Sequence, residues 1–175
     1  VELTQWAEDF DRLARPYVLT ELLRELPNAP YDEMVVIDLT DAKQVAQLYP
    51  SLFANGLHII SANKRAGSAD EALYREIRTI QHEYEREWLY NTTVGAGLPL
   101  NYAINDLRNS GDEIRSISGI FSGTMSWLFE NFTKGVTFSS LVKEAKERGY
   151  SEPDPREDLS CQDLVRKLLI LAREI

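Results

Sequence analysis

Apolar and polar residues follow two different periods along this chain, and the pattern changes near residue 95. Residues 34–38 (Met-Val-Val-Ile-Asp) and 57–60 (Leu-His-Ile-Ile) are short, nearly continuous apolar runs. Such runs mark strands buried in a parallel sheet. Trp88-Leu-Tyr90 predicts a third strand. Between the strands the apolar positions take helical spacing: Val45, Ala46 and Leu48 leading to Tyr49, then Leu73, Ile77 and Ile80 within residues 68–86. Asp41 and Ser68 stand where helix N-caps are expected, and Asn55-Gly56 marks a turn. A short helix over residues 20–26 is expected to end at Pro27 and Pro30. Strand, helix, strand, helix, strand is the order of a parallel sheet with crossover helices.

Past a seam at residues 92–98 the period becomes mostly helical. Gly95-Ala-Gly97 predicts a turn, Pro99 the first position of a helix to Asn109, and Ser110-Gly111-Asp112 a second turn. Residues 114–121 alternate and predict a strand; helices are expected over 124–132, 139–148 and 158–173. The fold class is α/β: the C-terminal part of a Rossmann-like parallel sheet in residues 1–94, then part of an α+β catalytic and dimerisation domain in 95–175. A complete dinucleotide fold opens on G-x-G-x-x-G after its first strand. The first glycine here is Gly56, and none of the 9 makes that spacing. The chain opens on Val1 and stops within a helical run, residues 168–175, with no glycine cap. An internal piece of a longer chain is expected.

Composition narrows the function classes. The chain has 175 residues, 43% hydrophobic and 27% charged, which is ordinary globular composition. A net charge of -9, with no basic stripe, argues against nucleic acid as partner. No apolar run approaches the roughly 18–20 residues that span a bilayer, so no membrane partner is expected. Residues 1–10 lack the basic region of a secretory signal. Cys161, the one cysteine, has no internal disulfide partner and fits a reducing cytoplasm.

Candidate chemistry concentrates after Gly149. Glu152, Asp154, Glu157 and Asp158 crowd four carboxylates into seven positions, stiffened by Pro153 and Pro155. Such a cluster repels itself unless a cation or ammonium group offsets it. Asp163 and Lys167 then share a helix face. That pair suits a lysine exchanging a proton in a cleft, but at this spacing it is more often a solvated surface pair, with the acidic residues serving the helix dipole. Spacing leaves both readings open.

The blocks together resemble homoserine dehydrogenases. Glu152-Pro-Asp-Pro-Arg-Glu-Asp-Leu-Ser160 followed by Asp163-x-x-Arg-Lys167 is similar to that family's signature. Ser61-Ala-Asn-Lys64, Val94-Gly-Ala-Gly-Leu-Pro99 and Ser118-Gly-Ile-Phe-Ser-Gly-Thr124 resemble three further family blocks, in order. The similarity runs from about residue 31 to residue 175. Trp88-Leu-Tyr-Asn91 and Ser126-Trp-Leu-Phe129 are most similar to the dehydrogenase half of bifunctional aspartokinase–homoserine dehydrogenases of the methionine-branch type.

The resemblance implies reversible reduction of L-aspartate 4-semialdehyde to L-homoserine with NADPH or NADH, in methionine and threonine biosynthesis. It implies Lys167 as the proton-transferring acid and Asp163 as its orienting partner. Glu152 would take the substrate amino group, with Gly123, Thr124 and Tyr150 lining the pocket and Asp158 nearby. Thr40, Ser61, Ala62 and Lys64 would face the cofactor. The carbonyls of Val94, Ala96 and Leu98 would form a monovalent-cation site for Na+, although Asn91 is a neutral amide where some members are acidic. A homo-oligomer is implied, with an aspartokinase domain in the parent chain. Cys161 departs from the family, which usually has glycine there. The piece alone is expected to be inactive. The alternative reading is a noncatalytic oligomerisation or substrate-binding module derived from the same fold.

Overall fold

Met34, Val36 and Asp38 alternate with Val35 and Ile37, and that period of two decides which face of the sheet is covered. The computed structural model describes residues 6–14, 18, 20, 21, 31–151 and 154–175. A helix α1 (Trp6–Leu13) precedes the sheet; most of the expected helix over 20–26 lies outside the described residues. Strands β1 (Met34–Asp38), β2 (Leu57–Ser61) and β3 (Trp88–Leu89) pair in parallel in the order β1-β2-β3. Met34 faces Leu57, Val36 faces Ile59, and Ile59 faces Trp88, so one apolar row crosses all three strands.

Helices α2 (Lys43–Ala46), α3 (Tyr49–Ala54), α4 (Lys64–Gly67) and α5 (Glu71–Glu83) fill the crossovers. Tyr49, Leu52 and Phe53 of α3 and Ile77 of α5 join Leu57, Ile59 and Trp88 in the main core. The sequence pattern reads as strands buried on both sides, but the opposite face is open. Val35 is 53% exposed and Ile37 62% exposed, with Ile60 and Leu89 beside them. No described helix covers that face.

Two caps differ from expectation. Asp41 turns to Arg65, and Ala42 precedes α2 without a side-chain cap. Ser68 ends α4, while Asp70 caps α5 by accepting the Leu73 N–H. An extra short helix sits between β2 and α5, which moves the start of the long helix two residues on.

After a single 3-10 turn (Asn91–Thr93) come α6 (Leu100–Asn109), α7 (Gly123–Asn131), α8 (Phe138–Glu147), α9 (Pro155–Leu159) and α10 (Gln162–Ala172). Pro99 stands just before α6 rather than within it. The expected strand over 114–121 forms neither strand nor helix; a ladder needs a partner, and the described residues supply none. The expected helix over 158–173 is two helices, broken where Cys161 takes φ 58°.

Leu128, Leu141 and Ala145 of α7 and α8 form a second, smaller core. Ile170 and Leu171 of α10 pack instead into the main core with the sheet. A Cβ on Gly67 would stand 3.0 Å from Ile170 Cγ1, so the small residue lets α10 lie close against α4. That contact brings the helix carrying Asp163 and Lys167 beside the one that begins with Lys64. Among the described residues no helix is long and apolar enough to cross a membrane.

Candidate active site

Asp163 stands on the first turn of α10 with a lysine on each carboxylate oxygen. Lys167, one turn later, approaches Oδ2 at 2.6 Å, and Lys64 approaches Oδ1 at 3.3 Å. Lys167 Nζ also donates to the Phe121 carbonyl at 3.0 Å. Burial pushes the Asp163 carboxyl up, but the Lys167 hydrogen bond and the two ammonium charges outweigh it and hold the group below its ordinary 3.8. A helix surface pair with both ends in water has neither a third charge nor a backbone acceptor. The pair thus carries tertiary contacts and stands at the edge of a cavity.

Two cavities meet at Lys64. The larger, about 860 Å³, is lined by Lys64, Lys167, Gly123, the 92–98 turn, one side of α6 and residues 116–121. The smaller, about 280 Å³, is lined by Thr40, Asp41, Ala62, Lys64, Glu157, Asp158, Asp163 and Arg166. Thr40 and Ala62 lie just past the C-terminal ends of β1 and β2, where open parallel sheets bind ligands.

The remaining candidates separate by what their side chains do. Ser61 is fully buried, its hydroxyl accepts from Trp88 Nε1 at 3.1 Å, and it lines neither cavity. Thr124 Oγ1 lies 2.6 Å from the Tyr150 carbonyl oxygen and 3.0 Å from Asp158 Oδ1, tying the start of α7 to the acidic loop. The Tyr150 ring packs on Trp127 at 5.4 Å. Glu152 lies outside the described residues. Of the other carboxylates in that loop, Asp154 caps α9 and pairs with Arg156, which brings its carboxyl down to about 2, while Glu157 and Asp158 both line the smaller cavity. Gly95 (φ 80°) and Ala96 (φ 53°) both take left-handed backbone, and Val94, Ala96 and Leu98 line the larger cavity. Asn91 Oδ1 nearby in sequence is buried with no hydrogen-bond partner. Among the described residues no group of three His, Cys, Asp or Glu side chains is placed to hold a metal.

Sequence reasoning missed the Phe121 carbonyl, the Lys64–Asp163 contact and the place of Arg166 in the smaller cavity. A backbone acceptor carries no residue-type signal, and the other two depend on how α10 docks.

The two halves of the chain each match a family profile. Residues 2–91 match "Homoserine dehydrogenase, NAD binding domain", and residues 99–175 match "Homoserine dehydrogenase". The chain belongs to the homoserine dehydrogenase family. It is 54% identical over 145 residues to the bifunctional aspartokinase/homoserine dehydrogenase 2 of Escherichia coli, covering 83% of this chain and 18% of that protein. Identity to the chloroplastic bifunctional aspartokinase/homoserine dehydrogenase 1 of Zea mays is 43%, over 99% of this chain and 19% of that one. The solved homoserine dehydrogenase of Thiobacillus denitrificans superposes with a TM-score of 0.70 at 27% identity, covering 79% of this chain and 32% of that one. The chain thus spans about a fifth of the curated relatives it matches and about a third of that solved structure. The α/β architecture with a Rossmann-like parallel sheet is the family's own.

Proposed function

We propose that this stretch supplies the proton-transfer wall and one side of the cofactor cleft of an NAD(P)-dependent homoserine dehydrogenase. Its reaction is the reversible reduction of L-aspartate 4-semialdehyde to L-homoserine. The observation that carries the reading is the Lys167 ammonium, held by Asp163 and the Phe121 carbonyl at the edge of the larger cavity.

An ammonium group has three donors. Two are engaged, and the third is available to a substrate oxygen in the cavity. As the carbonyl is reduced, Lys167 passes that proton to the oxygen; in the reverse direction the neutral amine takes it back. Asp163 fixes the direction of Nζ, and Lys64 balances the Asp163 charge while Lys167 is neutral. Gly123 has open space where a Cβ would stand, which leaves room for substrate. Thr124, Tyr150 and Asp158 brace that wall, and Glu152 receives the substrate ammonium group.

Thr40, Ala62, the Ser61 backbone and Lys64 fit the nicotinamide end of the cofactor. They stand at two adjacent strand ends, where Thr40, Ala62 and Lys64 line the smaller cavity and the buried Ser61 supports them from beneath. NADPH or NADH, when bound, supplies the hydride. The 92–98 turn fits a monovalent cation such as Na+. Its carbonyls at Val94, Ala96 and Leu98 are oxygen donors, and the unpaired Asn91 Oδ1 is the kind of buried acceptor a hard cation satisfies.

The open apolar face of the sheet supports a division into a partial NAD(P)-binding unit in residues 1–94 and a partial catalytic unit in 95–175, within a longer chain. That chain would carry an aspartokinase domain, assemble as a homo-oligomer and work in the cytoplasm, where a lone thiol stays reduced. In the intact protein, Lys167→Ala should lower kcat about a hundredfold or more with little change in KM. A near-normal kcat removes Lys167 from the chemistry.

A further inference from the structure

Asp38 is 3% exposed at the C-terminal end of β1, where an ionised carboxylate must be fully hydrogen-bonded. Thr40 donates to Oδ1 through both its backbone N–H (2.9 Å) and its hydroxyl (2.7 Å). Tyr49 Oη (2.7 Å) and Asn63 Nδ2 (2.9 Å) donate to Oδ2. All four contacts are internal, so the consequence of this carboxylate lies with its donors rather than with a ligand.

Asn63 Nδ2 also donates to the Ala42 carbonyl at 3.1 Å. With both amide hydrogens committed, the orientation of the amide is fixed and Oδ1 must be the acceptor. It accepts the Arg65 N–H at 2.9 Å, which caps α4. The first residue of α4 is Lys64, whose ammonium reaches Asp163 Oδ1. Asp38 and Lys167 are thus joined through Asn63, Lys64 and Asp163.

We propose that Asp38 is a positioning residue: by orienting Asn63 it fixes the start of α4, and with it the reach of Lys64 to the Asp163–Lys167 pair. The kinetic part of its test rests on the dehydrogenase reading; the labelling part does not.

Asp38→Asn keeps the shape but turns one acceptor into a donor that faces existing donors, so part of the network must open. In the intact protein, lysine acetylation by acetic anhydride, read residue by residue by mass spectrometry, should rise several-fold at Lys64. It should stay unchanged at the exposed Lys43 and Lys143. Tyr49→Phe removes one donor but leaves Asn63 oriented, so it should destabilise the protein and leave Lys64 labelling at the wild-type rate. A uniform rise at all lysines, or no rise at Lys64, overturns the proposal.

The second readout is a double-mutant cycle. Asp38→Asn should lower kcat about tenfold when Lys64 is present and hardly further in a Lys64→Met background. Equal losses in both backgrounds mean a merely structural role. Should Asp38→Asn fail to fold, Asn63→Ser cuts the same link and is read in the same two ways. If wild type shows no turnover with aspartate semialdehyde, the dehydrogenase reading falls, and the labelling pattern still decides the role of Asp38.

Discussion

Cys161 shows most directly how one residue can sit against its backbone. It holds φ 58° at the break between α9 and α10, a conformation that costs a residue with a Cβ about 1 kcal/mol or more. A glycine, which the resemblance places at this position, takes a positive φ without a Cβ penalty. Cys161→Gly should therefore stabilise the protein by about 0.5–1 kcal/mol, read as a higher urea midpoint at unchanged slope. Asp163 offers a second test. Its carboxyl is held below the ordinary 3.8, so its contribution to stability is complete above that value. The contribution is lost as pH falls through the lowered folded value. Asp163→Asn should cost stability at pH 6, and the gap to wild type should close toward pH 2. The same difference at both pH values would show that the lysine charges are not what lowers this group.

At the scale of elements, caps and turns decide where helices begin. Asp70, not Ser68, accepts the Leu73 N–H at 3.0 Å, and Asp70→Ala should cost about 1 kcal/mol while Ser68→Ala leaves α5 intact. Thermal midpoints of the two variants separate them. In the 92–98 turn a Cβ on Gly95 would meet Leu100 Cδ1 at 2.6 Å, and φ is 80° as well. Gly95→Ala should destabilise by about 1–3 kcal/mol through both effects. If the turn holds a cation, the thermal midpoint of wild type should be higher in sodium chloride than in choline chloride of equal ionic strength. The gap should narrow in Asn91→Ala. An equal midpoint in both salts removes the cation from the turn.

At the scale of the whole molecule, the sheet has one covered face and one apolar face that no described helix covers. Parallel sheets are stable when both faces are covered. The 175-residue piece by itself should therefore bind an apolar dye such as ANS and turn over little substrate, because the glycine-rich phosphate cradle is not among its residues. Robust NADPH oxidation with aspartate semialdehyde by the piece alone would contradict this. The main core also crosses the seam expected at 92–98, since Ile170 and Leu171 pack with Tyr49, Phe53 and Ile77. The helix bearing Lys167 is thus anchored on the sheet half, and core substitutions there should alter kcat as well as stability.

The sequence alone determined the three strands, the crossover helices and the ordered motif blocks, because period, turn residues and signature residues are local properties of the chain. It also marked Lys167 and Asp163, four residues apart on one helix face. Tertiary structure decided what that pair meets. The Phe121 carbonyl is 46 residues away in sequence, and the Lys64 ammonium arrives only because Gly67 lets α10 settle on α4. Whether an alternating run such as 114–121 becomes a strand, and which sheet face is covered, likewise depended on partners rather than on period. Hydrogen-bond ladders and buried faces are pairwise facts, and one segment carries only half of each.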